Sequence, residues 1–223
     1  MNFVYETDRL ILKICGEEIA EDALVFNIRN AKEFEAVEPI DVDNFYNVEH
    51  HRNILNYEYK KMLQLSVVRF WLFLKQDPST IIGTISFRNI AKPIYSSCQL
   101  GYKMDKAYTG QGYCTEAIRA GINIMFGDLG LHRIEAMVLP DNAASIAILE
   151  HLGFKQEGVL RDKLMIQGVW RDHYLYGLLS SAILMIFSSL TELFVSSSII
   201  SSRIVDFPEP LTPVRILTIS VLS

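Results

Sequence analysis

The stretch GYKMDKAYTGQGYCTEA, residues 101–117, decides how this chain folds. Leu100, Tyr102 and Met104 alternate with less apolar neighbours, which predicts a half-buried strand that ends near residue 104. From Thr115 to Phe126 the apolar residues recur close to helical spacing, which predicts a helix. The stretch therefore predicts a strand, a tight glycine turn and the first turn of a helix.

The glycine turn is a candidate anion site. Gly110 and Gly112 have no side chains, so a ligand can reach the backbone there. A helix N-terminus presents unpaired N–H groups and about half a positive charge, and phosphate is the usual anion bound by it. Two common phosphate motifs do not match, because Tyr113-Cys114 replaces the Lys-Ser/Thr of a Walker loop and Thr115 replaces the third glycine of a dinucleotide fingerprint. A plain capping turn is the alternative.

A second motif follows further along the chain. HRIEAMV, residues 132–138, predicts a strand, and DNAASIAILEHLGF, residues 141–154, predicts a capped helix, a terminal glycine and another strand. Together the two stretches resemble the acetyl-CoA site of the GNAT superfamily of N-acetyltransferases, with its Gly-x-Gly turn, Asn-x-x-Ala/Ser and Leu-Gly-Phe. TDRLIL, residues 7–12, and GVWRDH, residues 168–173, are similar to the Rim-type branch, the ribosomal-protein alanine or serine N-acetyltransferases. The resemblance covers residues 5–180.

The resemblance implies an α+β fold with a mixed, mostly antiparallel central sheet flanked by helices. In such a fold the strand before the glycine turn and the next strand splay apart. Coenzyme A would lie in the resulting V, with its pantetheine arm pairing like an extra strand. The order of predicted elements, strands first and then two β–α units, also indicates an α+β class.

The resemblance also assigns the acetyl-CoA contacts. Met104 and its neighbours would hold the acetyl carbonyl and pantetheine through backbone groups, and Asn142 would contact pantetheine, cap its helix, or do both. Ala107 departs from the family's Gln/Arg at this position of the turn, which would weaken binding without abolishing it. The pyrophosphate would be held by the backbone N–H groups of Gly110, Gln111, Gly112, Tyr113, Cys114 and Thr115. A thiol at a helix start can have a lowered pKa, but a small residue beside the phosphates is the favoured role of Cys114.

Acetyl transfer needs a proton source for the leaving thiolate and a route for the amine's proton. Many family members use a Tyr seven residues after the Asn as the proton source, but Leu149 stands there and cannot donate. Ser145, at the Asn-x-x-Ser position, is the substitute that the Rim branch implies; an ordinary first-turn residue is the alternative. Glu135 is the candidate base, because a carboxylate in an apolar strand must face a cleft or be paired. A structural partner of Arg133 or Arg171 is the favoured alternative for it.

The first half of the chain has weaker patterns. We predict a first strand at Leu10–Ile14, one helix over Glu17–Asn30 and another over Asn44–Leu65, with Gln76–Ser79 as a hairpin turn. Further strands are predicted at 67–75, 80–90, 95–104, 134–139, 154–166 and 171–179. Residues predicted to face the core are Ile19, Ala23, Val25, Phe26, Trp71 and Phe73. His50-His51 is predicted on an exposed helix face without the further ligands that a metal needs.

Composition sets broader limits. The 223 residues, half of them hydrophobic, allow one full domain with an appendage, and the net charge of −5 argues against a nucleic-acid partner. Three scattered cysteines indicate neither a disulfide framework nor a zinc site and fit a reducing cytoplasm. The start has no secretory pattern. We expect a cytoplasmic monomer or homodimer that holds no metal.

The composition changes near residue 180. Residues 1–180 are predicted to form the acetyltransferase domain, and residues 181–223 a Ser/Ile/Leu-rich tail that is disordered, packs on the domain, or is an artefact of a frame change. The uncharged window Tyr174–Thr191 is about as long as a membrane span. Its first residues are predicted to be the last strand, so a span is not expected.

These features predict an acetyl-CoA-dependent N-acetyltransferase whose acceptor is a primary amine, foremost a protein N-terminal α-amino group. A small-molecule amine acetyltransferase (for a polyamine, an amino sugar or an antibiotic) and a non-catalytic acyl-CoA-binding regulatory domain are the alternatives. Helices within the first 65 residues and the closing strands would form the acceptor pocket. Acidic residues there would attract a cationic amine or belong to a solvated loop, namely Glu33, Glu35, Glu38, Asp41 and Asp43.

Overall fold

A computed structural model of the chain describes residues 1–39, 42–92 and 94–180. The predicted tail at 181–223 lies outside the described residues. The strands are β1 (Val4–Glu6), β2 (Leu10–Lys13), β3 (Val68–Leu74), β4 (Asp77–Ala91), β5 (Ser97–Met104), β6 (Arg133–Val138), β7 (Lys155–Ile166) and β8 (Val169–Leu179). The helices are α1 (Ala20–Arg29), α2 (Ala31–Glu35), α3 (Val42–Phe45), α4 (Val48–Leu63), α5 (Tyr113–Asn123) and α6 (Ala143–His151). Two 3-10 turns occupy Glu17–Ile19 and Lys106–Tyr108, and a π-helical turn occupies Ile124–Asp128.

The strands form one sheet in the order β1-β2-β3-β4-β5-β6-β8-β7. Every neighbouring pair is antiparallel except β5 and β6, which run parallel. A parallel connection needs a crossover segment, and α5 supplies it. The predicted α+β class with a mostly antiparallel sheet is confirmed.

The parallel strands β5 and β6 separate soon after they meet. Their pairing runs only from Ser97 opposite Arg133 to Leu100 opposite Ala136. Beyond that point β5 stays with β4 as far as Met104, while β6 stays with β8 as far as Val138. The predicted splay is therefore confirmed, and it leaves a V-shaped opening at one edge of each strand.

Alternating residues divide the core between the two faces of the sheet. On one face, Phe70, Ile85 and Phe87 belong to a buried cluster that includes Ala117 and Ile118 of α5. On the other face lies a second cluster, which contains Ala20, Ala23 and Phe26 of α1, Phe34, Leu55, Trp71, Phe73 and Ile81. Trp71 and Phe73 are thus core residues as predicted. The helices of the first 65 residues cover this second face next to the splay.

Several local predictions in the first half were wrong. An extra strand, β1, precedes the predicted first strand. Val25 is 57% exposed, because the buried stripe of α1 follows Ala20, Ala23 and Phe26 and places Val25 on the opposite side of the helix. His51 is buried rather than exposed.

Two predicted boundaries also differ. The helix predicted over Asn44–Leu65 is broken, because the Asn47 side chain accepts a hydrogen bond from Glu49 N–H and caps α4. The β3–β4 connection is Lys75-Gln76 rather than Gln76–Ser79, since Leu74 already pairs with Asp77. At the helix the Asn47 cap overrides the local sequence pattern, and at the hairpin the register set by the sheet overrides it.

We predict that Gly121→Ala destabilises the fold by about 1–3 kcal/mol, the usual range for overpacking a core. A Cβ at Gly121 in α5 would lie 2.7 Å from Phe87 Cζ and 2.8 Å from Ile85 Cδ1. Urea unfolding would measure the change. Gly127→Ala is the matched control, because a Cβ there meets nothing within 4 Å; equal losses in the two variants would contradict the packing argument.

Candidate active site

The opening between β5 and β6, here called the splay cleft, has a volume of about 450 Å³. Gly101, Tyr102 and Lys103 of β5 and Ala136, Met137 and Val138 of β6 form its two sides, and Asn142, Ser145 and Leu149 lie at one end. Leu164 of β7 and His173 of β8 also line it. The cleft therefore brings together residues from both sequence motifs and from the closing strands.

The glycine turn follows β5 and leads directly into α5. Gly110 and Gly112 have φ of +73° and +81°, in the left-handed region that favours glycine. Gly112 is the N-cap of α5 and offers no capping side chain, and the first helical bond runs from Glu116 N–H to Gly112 O. The N–H groups of Tyr113, Cys114 and Thr115 consequently have no partner within the helix. This is the predicted anion-binding geometry, formed by backbone atoms alone.

A polar clamp fixes the turn to the start of the chain. Glu116 of α5 accepts hydrogen bonds from Thr7 Oγ1 at 2.6 Å, Arg9 N–H at 3.0 Å and Arg9 Nε at 2.7 Å. Arg9 Nη1 donates to Gln111 O at 3.0 Å, and the guanidinium lies 4.4 Å from the centre of the Tyr113 ring. Burial raises the pKa of Glu116, but the bonds from Thr7 and Arg9 outweigh it and leave that pKa below its ordinary value.

Asn142 and Ser145 lie together at the start of α6. Asn142 Oδ1 accepts a hydrogen bond from Ser145 N–H at 3.1 Å, so the predicted N-cap is confirmed. Tyr102 OH donates to Ser145 O at 3.3 Å and ties β5 to α6 across the V. The Ser145 side chain is half-buried and lines the splay cleft, while Leu149 lines it without any polar group.

Glu135 and Met104 do not line the splay cleft. Glu135 Oε1 accepts a hydrogen bond from Arg133 Nε at 2.8 Å, and Arg133 also pairs with Glu157. Arg171 pairs instead with Asp141. The favoured structural alternative for Glu135, a partner of Arg133, is thus the arrangement found. Met104, at the end of β5, pairs with Gly83 of β4.

Cys114 is not an activated thiol. It lies at the start of α5, where a lowered pKa is conceivable, but burial raises the pKa of its thiol to about 12. Desolvation of the thiolate therefore outweighs the helix N-terminus. Its small, partly buried side chain packs against the core.

A second pocket, here called the α4 pocket, adjoins the splay cleft on the face covered by α1, α3 and α4. It has a volume of about 390 Å³. Five residues line both spaces, namely Glu38, Arg69, Thr84, Arg88 and Lys103. Its walls include Phe26, Asn27, Phe45, His51, Glu58 and Trp71. A molecule in the splay cleft can thus extend into the α4 pocket.

The acidic residues predicted to attract an amine are already engaged where the structure describes them. Glu33 pairs with Lys106, Glu35 accepts from Tyr46 OH, and Glu38 pairs with Lys103, each at 2.5 Å. Asp41 and the Asp43 side chain lie outside the described residues. The described members of this group therefore belong to local ion pairs and hydrogen bonds.

The described ranges contain neither a metal-binding cluster nor a helix suited to span a membrane. Among these residues, no three His, Cys, Asp or Glu side chains lie close enough together to hold a metal ion. In the same part of the chain, none of the helices combines the length and apolar character that crossing a membrane requires.

Residues 9–155 match the family profile described as an acetyltransferase (GNAT) domain. The chain belongs to the GNAT acetyltransferase family. It is an acetyl-CoA-dependent acyltransferase, in agreement with the predicted class, and the non-catalytic alternative loses its support. The GNAT domain spans both sequence motifs and both sides of the splay cleft.

Relatives and a solved structure agree with this membership. The chain is 37% identical over 162 residues to a probable N-acetyltransferase, YjcK, of Bacillus subtilis, covering 72% of this chain and 88% of the relative. It is 33% identical over 175 residues to the ribosomal protein uS5-alanine N-acetyltransferase of Escherichia coli, covering 77% and 88%. The structure of Mycobacterium smegmatis RimJ in complex with CoA-disulfide superposes with a TM-score of 0.72 at 26% identity, covering 78% of this chain and 83% of RimJ.

Sequence reasoning missed the clamp and the α4 pocket. Thr7 and Arg9 belong to the TDRLIL motif, but that motif gives them no role, because their partner Glu116 is 109 and 107 positions away in the sequence. Thr84, Ser86 and Arg88 alternate with apolar residues in β4, and this alternation is the sequence signal for a polar face of the strand.

We predict that Glu116→Gln lowers the free energy of unfolding by about 1 kcal/mol at pH 7, as expected for a partly exposed charged hydrogen-bond cluster. Because the pKa of Glu116 is lowered in the folded protein, its contribution is present above the unfolded pKa and is lost as the pH falls through the folded pKa. Urea unfolding of the parent protein and of Glu116→Gln would be measured at pH 7 and pH 3. We expect the difference between their free energies of unfolding to be smaller at pH 3.

Glu6→Gln is the control for the clamp variant, because the Glu6–Lys75 pair is exposed on both sides. We expect a smaller loss from this variant at pH 7. A difference between the parent and Glu116→Gln that grows on acidification would contradict the assigned role of Glu116.

Proposed function

We propose that this protein transfers the acetyl group of acetyl-CoA to a primary amine, foremost the N-terminal α-amino group of a protein of the ribosomal type. The observation that carries the proposal is the divergence of β5 and β6 beside a glycine turn with free N–H groups. The relative named as a uS5-alanine N-acetyltransferase supports the acceptor class. A cytoplasmic location and a monomeric or homodimeric state belong to the same proposal.

We assign the acetyl-CoA contacts as follows. Residues Gly101–Met104 of β5 already pair with β4 on one side, so their other edge is available to a pantetheine arm. Met104, which ends this edge without itself lining the splay cleft, and its neighbours would hold the acetyl carbonyl through backbone groups, and Asn142 would add a contact at the far side. The pyrophosphate would accept hydrogen bonds from the backbone of the turn and the first residues of α5, namely Gly110, Gln111, Gly112, Tyr113, Cys114 and Thr115.

The departure at Ala107 has a local compensation. Gln111 Nε2 donates to Ala107 O at 3.1 Å, and Asp105 Oδ1 accepts from Ala107 N–H at 2.9 Å. The turn is thereby closed without the family's Gln/Arg side chain. Together with Arg9, which holds Gln111 O, these bonds keep the turn ordered for an anion.

The chemistry requires few side chains. The neutral amine forms a bond to the thioester carbonyl carbon, the C–S bond then breaks, and the amine's proton leaves to solvent or a base. The departing thiolate takes a proton, and we propose that Ser145 Oγ supplies it, since Leu149 cannot; the Ser145 oxygen regains a proton from water in the cleft. Removing a positioned proton donor typically costs a factor of about 10²–10⁴ in rate.

Glu135 remains a candidate base with a structural competitor. Its carboxylate is held by Arg133 and does not line the splay cleft, so a direct role would require that pair to open. A water chain through the cleft is the simpler route for the amine's proton. Glu135→Gln would separate the two roles. Loss of a catalytic base would lower kcat, whereas loss of a structural partner of Arg133 would lower the stability of the fold.

We predict that Gly112→Ala raises the Kd for acetyl-CoA about tenfold. Alanine at φ +81° costs about 1–2 kcal/mol in the left-handed region, and relief of that strain would move the N–H groups of the turn. Calorimetric titration would measure the Kd. Gly130→Ala is the matched control, since Gly130 also has a positive φ of +63° and a Cβ there meets nothing within 4 Å. Loss of affinity in both variants alike would contradict the assigned role of the turn.

We predict that Ser145→Ala lowers kcat about a hundredfold and leaves the Kd for acetyl-CoA unchanged. Thiol release would be followed with acetyl-CoA and peptides that begin with Ser or Ala. Turnover of these peptides by the parent protein supports the proposed acceptor class. Turnover restricted to small amines would replace the proposed protein acceptor with a small-molecule amine. An unchanged kcat in Ser145→Ala would rule out Ser145 as the proton donor.

A further inference from the structure

Three cations and two carboxylates lie where the splay cleft meets the α4 pocket. In the part of the chain that the structure describes, the arginine and lysine side chains lining these spaces are Arg69, Arg88 and Lys103, and the carboxylates are Glu38 and Glu58. All three cations line both spaces. One positive charge is therefore left over at the junction of the two spaces.

The two carboxylates pair with two of the cations. Glu58 Oε2 and Oε1 accept hydrogen bonds from Arg69 Nε and Nη2 at 2.6 and 2.7 Å, and Glu38 pairs with Lys103 at 2.5 Å. The Lys103 ammonium also lies 4.9 Å from the centre of the Phe34 ring. Arg69 and Lys103 are thus held by the protein itself, and both oxygens of Glu58 are in use.

Arg88 is the cation that lacks such a partner. Its Nη2 atom lies 3.9 Å from Glu58 Oε1, which is beyond hydrogen-bond distance, and its guanidinium donates to none of the residues that the structure describes. The side chain is 54% exposed, so a ligand can reach it. Partial burial and the positive charge of Arg69 lower the pKa of Arg88 despite the nearby carboxylates. An anion beside the guanidinium would offset both effects.

A second donor stands beside Arg88 on the sheet. Arg88 of β4 pairs in register with Gln99 of β5, so the two side chains project from the same face. Asn89 Nδ2 donates to Gln99 Oε1 at 2.9 Å, which orients the amide and leaves Gln99 Nε2 as a donor at the splay cleft. Glu135 is the next residue in this row, but Arg133 holds it and it lines neither space.

These two donors lie at the vertex of the splay. Leu100 is the last residue of β5 that pairs with β6, and Gln99 directly precedes it. The open edge that we assign to pantetheine, Gly101–Met104, begins directly after Leu100. A molecule whose amine lies in the splay cleft can therefore place a second group beside Arg88.

We propose that Arg88, assisted by Gln99, binds a carboxylate of the acceptor, so that this protein prefers amines that carry a negative charge close to the reacting nitrogen. A carboxylate suits this site because the parallel N–H groups of a guanidinium bind both of its oxygens. The inference rests on the proposed function, because it requires the reacting amine to lie in the splay cleft.

The carboxylate can come from two sources. In a protein acceptor, which the proposed function favours, it belongs to an acidic side chain soon after the N-terminal residue. In a small acceptor it belongs to a free amino acid. A polyamine would instead bring a second ammonium group to the surplus cation and would be disfavoured.

The test compares acceptors that differ in one charge. Hexapeptides that begin with Ser carry Glu or Gln at position two, three or four and are otherwise identical. The small amines 4-aminobutyrate, 4-aminobutanamide and 1,4-diaminobutane make the same comparison without a peptide. For the carboxylate compound we expect kcat/KM to be about tenfold higher than for its amide, at one peptide position or more, as a charged hydrogen bond of ordinary strength provides. The gain should lie in the acceptor KM, and the diamine should be the poorest small amine.

Variants connect the preference to Arg88. Arg88→Met removes the charge from an exposed side chain, and the Glu and Gln peptides should become equal acceptors. Arg88→Glu places a carboxylate there, and the Gln peptides should become the better acceptors. Arg52→Met is the matched control, because Arg52 is 44% exposed on α4, lines neither space and should keep the full preference when replaced. The Kd for acetyl-CoA should be unchanged in all three variants, which also shows that they fold.

The outcomes separate this inference from the proposed function. If the parent protein uses every amide as well as its carboxylate, or if the preference survives in Arg88→Met, the inference is wrong and the proposed function stands. If only the small amines react, and 4-aminobutyrate loses its advantage in Arg88→Met, the role of Arg88 holds and the protein N-terminal acceptor is wrong. No turnover with any compound overturns both.

Discussion

The separation of β5 from β6 after four residue pairs is the constraint on which the site depends. Each strand keeps its other neighbour, β4 or β8, so the divergence is held from both sides of the sheet. Backbone N–H and C=O groups along the two freed edges have lost their partner strand but keep the need for hydrogen bonds. An extended molecule with amide groups, such as the pantetheine arm of coenzyme A, satisfies that need as a further strand would.

The remaining parts of the site take their positions from this divergence. The glycine turn follows the end of β5, and the clamp of Thr7, Arg9 and Glu116 ties it to the N-terminal segment of the chain. On the other side of the V, the cap made by Asn142 places Ser145 at the cleft, where Tyr102 reaches across to its backbone. The proposed anion site at the turn and the proposed proton donor Ser145 are thus held in place by short polar contacts to the sheet.

The sequence predicted the parts of this account that rest on local patterns. Glycine spacing, the Asn142 cap and the alternation in β5 are read from neighbouring residues, and each agrees with the structure. The predicted single helix across α3 and α4 and the predicted turn of the β3–β4 hairpin were wrong, because a helix cap and a sheet pairing determine these boundaries. His51 was assigned to the wrong side of its helix, because the short element α3 covers it with Phe45. The clamp and the α4 pocket join residues far apart in the chain, which no local pattern reveals.

Hydrogen–deuterium exchange with and without acetyl-CoA would show whether the splay and the glycine turn bind the cofactor. We expect slower exchange at two places, the amides of Gly101–Met104 on the open edge of β5 and those of Gln111–Thr115 at the start of α5. The clamp residues Thr7 and Arg9 should follow the turn to a smaller degree. Unchanged exchange in both segments, or protection confined to another part of the sheet, would contradict the claim that the splay and the glycine turn form the acetyl-CoA site.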